Sequence, residues 1–140
     1  MSRPRVSVLL PVRDEEPFLA ECLESLSAQT LADFEVIAVD DGSTDATPGI
    51  LAAHARSDSR FHMLRQEPAG MVAASERARA EARAPLVARM DADDVALPER
   101  LELQVAAIEE ERLAAVGGRN GLRCGELVGH QPRADEQEAD

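Results

Sequence analysis

Residues 34–45 read Phe-Glu-Val-Ile-Ala-Val-Asp-Asp-Gly-Ser-Thr-Asp. The first six, Phe34 to Val39, are an apolar run rich in β-branched residues, which predicts a buried strand. The run passes straight into Asp40-Asp41-Gly42-Ser43-Thr44-Asp45. Gly42 permits a tight turn, and Ser43, Thr44 or Asp45 suits the cap of a following helix. A strand that ends in an acidic turn and feeds a helix is half of a βαβ unit.

The sequence on either side repeats this plan. Upstream, Val6 to Val12 is a continuous apolar run, the signature of a parallel strand buried on both faces. It ends in Arg13-Asp14-Glu15-Glu16-Pro17. Proline fits the first helical turn, and the acids suit its positive end. Phe18, Leu19, Cys22, Leu23 and Leu26 then recur at helical spacing, to about Gln29. Downstream, the helix after Asp45 has a weak apolar face of Ile50, Leu51 and Ala55, to about Ser57. Phe61 to Arg65 is a short strand, and Pro68-Ala69-Gly70 a turn. Met71 to Arg83 is an Ala- and Arg-rich helix, and Pro85 to Met90 a strand. Leu97 to Glu111 is a last helix, with Leu101, Val105 and Ile108 in register, and Ala114 to Gly117 is a further short strand. Strands alternating with helices predict an α/β fold: a Rossmann-like, mostly parallel sheet with flanking helices.

Right-handed crossovers put every strand's carboxyl end on one edge. Asp14, Asp40–Asp41 and Asp91–Asp94 therefore converge there, where open α/β sheets bind ligands. The last group is the densest, with Asp91, Asp93 and Asp94 in four residues. Like charges that close repel unless a cation neutralises them. On an extended chain Asp91 and Asp93 face the same side and offer two hard oxygen ligands, suited to Mg²⁺ or Mn²⁺.

Composition narrows the partners. The chain has 140 residues, one domain by size, and 44% are hydrophobic. Aromatics are 2%, so the core is aliphatic. All 15 basic residues are Arg, against 27 acids, for a net charge of −12. Such a surface repels a nucleic-acid backbone, whereas a phosphorylated ligand is admissible if a metal stands between. Cys22 and Cys124 form no metal spacing and no disulfide framework. No apolar run approaches membrane-spanning length and no signal segment opens the chain, so a soluble, cytoplasmic protein is expected. From about Gly118 the periodicity stops, and 119–140 reads as a disordered acidic tail after a domain of residues 1–118.

With these stretches assembled, the chain resembles the N-terminal, nucleotide-sugar-binding half of a family 2 glycosyltransferase, of the GT-A fold. VSVLLPVRDEE (6–16) is similar to the family's first strand and its Pro-x-x-Asn-Glu-Glu loop. FEVIAVDDGSTDAT (34–47) is close to its Val-Asp-Asp-Gly-Ser-Thr-Asp. ARMDADDVALPERLELQ (88–104) resembles its Asp-x-Asp segment with the downstream Pro, and PAGMVAASERARAEARAPLVA (68–88) fits the intervening helix. The resemblance covers about residues 5 to 118. It implies an inverting transfer from a nucleotide-sugar donor, often a UDP-sugar, to a saccharide, lipid or protein acceptor.

Carried over by position, Pro11, Val12, Arg13 and Glu15 line the donor pocket. Asp40 meets the uracil or ribose with Asp41 in support, and Asp91 and Ala92 lie by the ribose and diphosphate. Asp93, with Asp91, holds the metal, which would stabilise the charge on the leaving diphosphate. Asp14 stands where the family has Asn, Glu76 where an Asn is common, and Ala78 and Ala84 where glycines are frequent. The acceptor half, with the base for the acceptor hydroxyl, is expected beyond about residue 120. The tail does not match it, so the chain reads as truncated after the Asp-x-Asp segment, with its later sheet edge unpaired and prone to self-association.

Three other classes fit less well. A receiver-type domain needs a late-strand Lys, and the chain has none. Nucleotidyltransferases and dinucleotide-binding domains need a Gly-rich first loop, and Val12-Arg13-Asp14-Glu15 has no Gly. The remaining alternative is a non-catalytic nucleotide-sugar-binding fragment.

Overall fold

The computed structural model describes residues 3–111, 115–116 and 127–129. Its elements run β1 (Val6–Val12), α1 (Glu16–Ser27), β2 (Phe34–Asp40), α2 (Thr47–Ser57), β3 (Phe61–Arg65), α3 (Met71–Glu81), β4 (Leu86–Arg89), α4 (Arg100–Glu111), β5 (Ala115–Val116) and β6 (Leu127–Gly129). The sheet order is β3-β2-β1-β4-β6-β5. β1 to β4 are mutually parallel, and β6 is antiparallel to both β4 and β5. The α/β, Rossmann-like fold expected from the sequence is the one found. The chain winds outward from β1 to β3, then returns to place β4 on the other side of β1. That reversal makes the carboxyl ends of β1 and β4 the switch point, the place at which such sheets generally take ligands.

Every residue of β1 and of β2 is buried, because helices cover both faces. Val6, Val8, Leu10 and Val12 pack with Leu19, Cys22, Leu23 and Leu26 of α1, Leu51 of α2, and Leu101 and Val105 of α4. On the opposite face Leu9, Ile37, Val39 and Val87 meet Ala74, Ala78 and Ala82. Ala74 and Ala78 lie one turn apart on α3, and Ala82 is the residue that caps its end. The buried carboxylate of Glu35 closes that layer. It accepts hydrogen bonds from Ser7 Oγ (2.6 Å), Arg83 N (2.8 Å) and Arg83 Nε (3.1 Å), so this buried charge is paired.

Several boundaries differ from the sequence reading. α1 ends at Ser27, short of Gln29, because the Gln29 side chain serves α4 instead. Its Nε2 donates to Leu97 O (2.7 Å) and its Oε1 accepts from Leu101 N (3.1 Å). Leu101 N is one of the first-turn donors that a helix cannot satisfy internally. Residues 97–99 are accordingly a turn, and α4 starts at Arg100. Within the stretch expected to lack structure, Leu127–Gly129 forms a strand between β4 and β5. It offers only two apolar residues beside glycines, too short a run to carry a periodicity, and its partners lie far away in sequence. Ala115–Val116 pairs with it on one side and is the last strand in the sheet order, the place expected for the sheet's later edge. The rest of the tail lies outside the described residues. Among the described residues no helix is long and apolar enough to cross a membrane.

Candidate functional site

Three loops meet at the carboxyl edge, and the first two are laced together. Asp14 sits at φ 50°, a left-handed backbone that Asp and Asn tolerate better than most residues, so its exchange with Asn keeps the conformation. Asp14 N donates to Ser43 Oγ (2.9 Å), and Thr44 N donates back to Asp14 Oδ1 (2.8 Å). Glu15 N donates to Thr47 Oγ1 (3.0 Å) and Glu16 N to Asp45 Oδ2 (3.2 Å). Asp45 Oδ1 also accepts from Thr47 N (2.9 Å). One carboxylate thus meets orphan N–H groups at the start of both α1 and α2, more than the single cap expected of it.

The two acids of the β2 loop are wholly buried and have different surroundings. Asp41 accepts from Gln66 Nε2 (2.8 Å), Ala69 N (2.7 Å) and Gly70 N (2.9 Å), with Arg13 Nη1 at 3.9 Å. The bonds from Gln66, Ala69 and Gly70 hold its carboxyl below the ordinary range. Its carboxylate pins the turn between β3 and α3. Gly42, at φ 75°, is required between them, since a Cβ there would stand 2.5 Å from Pro68 Cγ. Asp40 Oδ1 accepts from Ser43 N (3.1 Å). Its Oδ2 is buried and accepts no hydrogen bond, and Arg65 Nε lies 3.6 Å from it.

The β4 loop is the opposite case. Asp94 N donates to Asp91 O (3.0 Å), so residues 91–94 form a turn, not the extended segment expected. The turn still gathers the three acids: carboxylate oxygens of Asp91, Asp93 and Asp94 all lie within 4.8 Å of one another. Asp91 and Asp93 are exposed while Ala92 between them is buried in the core, which fixes the loop and points the acids outward. Such oxygens can surround one hard cation, whose ligands stand 2.0–2.6 Å from it. The loop faces the β1 loop. Burial, then the charges of Asp93 and Asp91, pushes the Glu15 carboxyl up. Beneath it, Cys22 Sγ donates to Asp91 O (3.7 Å); burial, then Asp94 and Asp93, pushes this thiol up to about 12. It is a packing residue with no thiolate to offer.

Asp40, Asp41, Asp91, Asp93, Arg13 and Glu15 therefore lie in the three loops of one edge. Pro11 and Val12 are buried in β1, where Val12 packs into the core and its O accepts Asp41 N (2.9 Å). They bound the site from below. Sequence reading passed over Arg65, Gln66 and Thr47, and took Ser43 only as a candidate helix cap. The available signal was position, since all four flank strand ends that carry acids.

Comparison with known proteins bears on the same stretches. The model of the family "Glycosyl transferase family 2" matches residues 7–135. EpsH of Bacillus subtilis is 37% identical over 111 residues, 79% of this chain and 32% of that protein. The chain thus spans about a third of the length of this curated relative. S. aureus TarS, solved with UDP, superposes with TM-score 0.74 at 29% identity, covering 83% of this chain and 37% of that one. A mannosyltransferase of Pyrobaculum calidifontis, solved with GDP-Man and Mn²⁺, shares the fold with TM-score 0.82 at 22% identity, covering 92% and 45%.

Proposed function

This chain belongs to glycosyl transferase family 2, and on that premise we propose that its carboxyl edge binds the nucleotide-diphosphate sugar of an inverting sugar transfer, a UDP-sugar before others. The observation that carries this reading is the contrast within the edge. Carboxylate oxygens of Asp91, Asp93 and Asp94 lie within 4.8 Å of one another at the switch point, with Asp91 and Asp93 exposed, whereas Asp41 and Asp45 turn to backbone N–H groups of the neighbouring loops and helix starts. Asp91 and Asp93 would hold Mg²⁺ or Mn²⁺, whose charge when bound offsets that of the diphosphate.

The protein's own groups do the rest. Asp40 presents its unbonded oxygen to the base or ribose, and Asp41 acts through the 66–70 turn that it pins. Arg13 and Glu15 flank the diphosphate from the β1 loop, and Asp91 and Ala92 lie beside the ribose. The base that removes the acceptor's proton belongs, by the resemblance, to an acceptor-binding half, and no residue here is assigned to it. TarS, solved with UDP, and the mannosyltransferase, solved with GDP-Man and Mn²⁺, support a nucleotide ligand for this chain. The test is calorimetric titration with UDP, GDP and TDP in Mn²⁺. Saturable binding, tightest for UDP, is expected; no binding of any of the three would overturn the reading.

A further inference from the structure

Among the edge carboxylates, Asp40 is the one whose buried oxygen is left over. Asp41 accepts three hydrogen bonds and Asp45 two. Asp40 is completely buried, yet Oδ2 accepts none. Leaving a buried acceptor unmet is costly, and a site that pairs with an incoming donor accounts for it. Arg65 lies directly across the β2–β3 ladder from Asp40. Its Nε, at 3.6 Å, is outside hydrogen-bond reach of Oδ2. Its side chain is 57% exposed, and Nη2 is tethered by one long bond, 3.2 Å, to Ser43 O. The neighbours are fixed: Gln66 is bonded to Asp41 and Pro68 abuts Gly42. Arg65 is the movable part of this corner, and it carries N–H donors beside an acceptor that lacks one.

We infer that Arg65 is a specificity-determining residue that reads the nucleotide base together with Asp40. The inference rests on the donor-site reading above. The guanidinium shifts aside to admit the base edge, whose ring N–H donates to Asp40 Oδ2, and then donates to the carbonyl oxygen next to that N–H. This pair selects an imide or lactam edge, N–H beside C=O, as in uracil or thymine. Cytosine turns a ring-nitrogen lone pair toward the carboxylate at the same place and is repelled. The tether to Ser43 O keeps the guanidinium near the base in either position. Lysine would keep the charge but lose the planar, multi-donor geometry.

The experiment compares wild type, Arg65→Ala and Arg65→Lys, titrated by calorimetry in Mn²⁺ with UDP, CDP and pyrophosphate. Pyrophosphate engages the metal side and has no base. Arg65→Ala is expected to weaken UDP about tenfold or more, the scale of a lost hydrogen bond from a charged group. It should leave pyrophosphate unchanged and narrow the preference for UDP over CDP, and Arg65→Lys should fall between. Unchanged pyrophosphate binding also shows that the variant is folded. Equal UDP affinity in Arg65→Ala and wild type overturns this inference and leaves the donor-site reading standing. So does an equal loss of UDP and pyrophosphate, which makes Arg65 a phosphate or structural residue. Failure of wild type to bind UDP overturns this inference, and failure to bind GDP and TDP as well overturns the donor-site reading.

Discussion

The loops after β2 and β4 begin alike, as an apolar strand running into a cluster of aspartates, and they end as opposites. After β2 the acids are buried and mostly engaged: Asp41 holds the 66–70 turn, and Asp40 is fixed through Ser43. After β4 the acids crowd one another, with Asp91 and Asp93 in solvent. An acidic cluster at a strand end is thus two devices. One uses carboxylates as internal acceptors that fix the loops; the other crowds them together, two of them at the surface, where on the proposed reading a divalent cation would join them. The second kind bears on the proposed function more directly, because like charges that close repel unless a cation neutralises them.

The sharpest way to break this comparison is to remove one acid of each kind. Asp93→Ala should reduce Mn²⁺-dependent UDP affinity by at least the roughly 10–100-fold seen when a ligand's supporting partners are lost. Its Tm should change little, since the side chain is exposed. Asp41→Ala should instead lower Tm, because the N–H groups of Ala69 and Gly70 lose their acceptor. Thermal unfolding and calorimetry on both variants check this; a larger Tm loss for Asp93→Ala than for Asp41→Ala would collapse the distinction. Gly42→Ala probes the closed loop through its backbone. A left-handed φ and the Pro68 clash should cost about 1–3 kcal/mol in urea unfolding.

Acid titration sharpens the comparison further. Asp58 is a closed carboxylate outside the site, held down to about 2 by Arg60 and by Ser27 Oγ. Its folded pKa is depressed, so its stabilisation is present above the ordinary Asp value near 3.9 and is lost as pH falls through about 2. Asp58→Asn should therefore lower Tm at pH 7 and converge with wild type near pH 2. Glu15 belongs with the open acids, and its folded pKa is raised. Its ionised form costs stability above that pKa, and the cost vanishes below about 4.5. Glu15→Gln should give a small rise in Tm at pH 7 and none at pH 3, the smallest effect of the set.

Much of this was legible in the sequence. β1, β2 and the alternation with helices follow from apolar runs such as Val6–Val12 and Phe34–Val39, whose burial is a property of the run itself. The meeting of Asp14, Asp41 and Asp91 at one edge follows from crossover handedness alone. What was not legible depends on partners remote in sequence. Gln29 caps α4 from 72 positions away. Leu127–Gly129 gains its strand from β4, not from its own pattern. The roles of Asp40 and Asp41 cannot be separated by reading two adjacent aspartates, because Gln66, Ala69 and Gly70 decide which one is engaged. Arg65 carries no motif, and its place opposite Asp40 appears only once β2 and β3 are in register.

The central claim is that the open cluster waits for a cation without which a diphosphate is repelled. Titrating UDP into the wild-type chain, once in Mn²⁺ and once in EDTA, tests it directly. The account predicts saturable binding in Mn²⁺ and none detectable in EDTA; equal affinity in the two would contradict it.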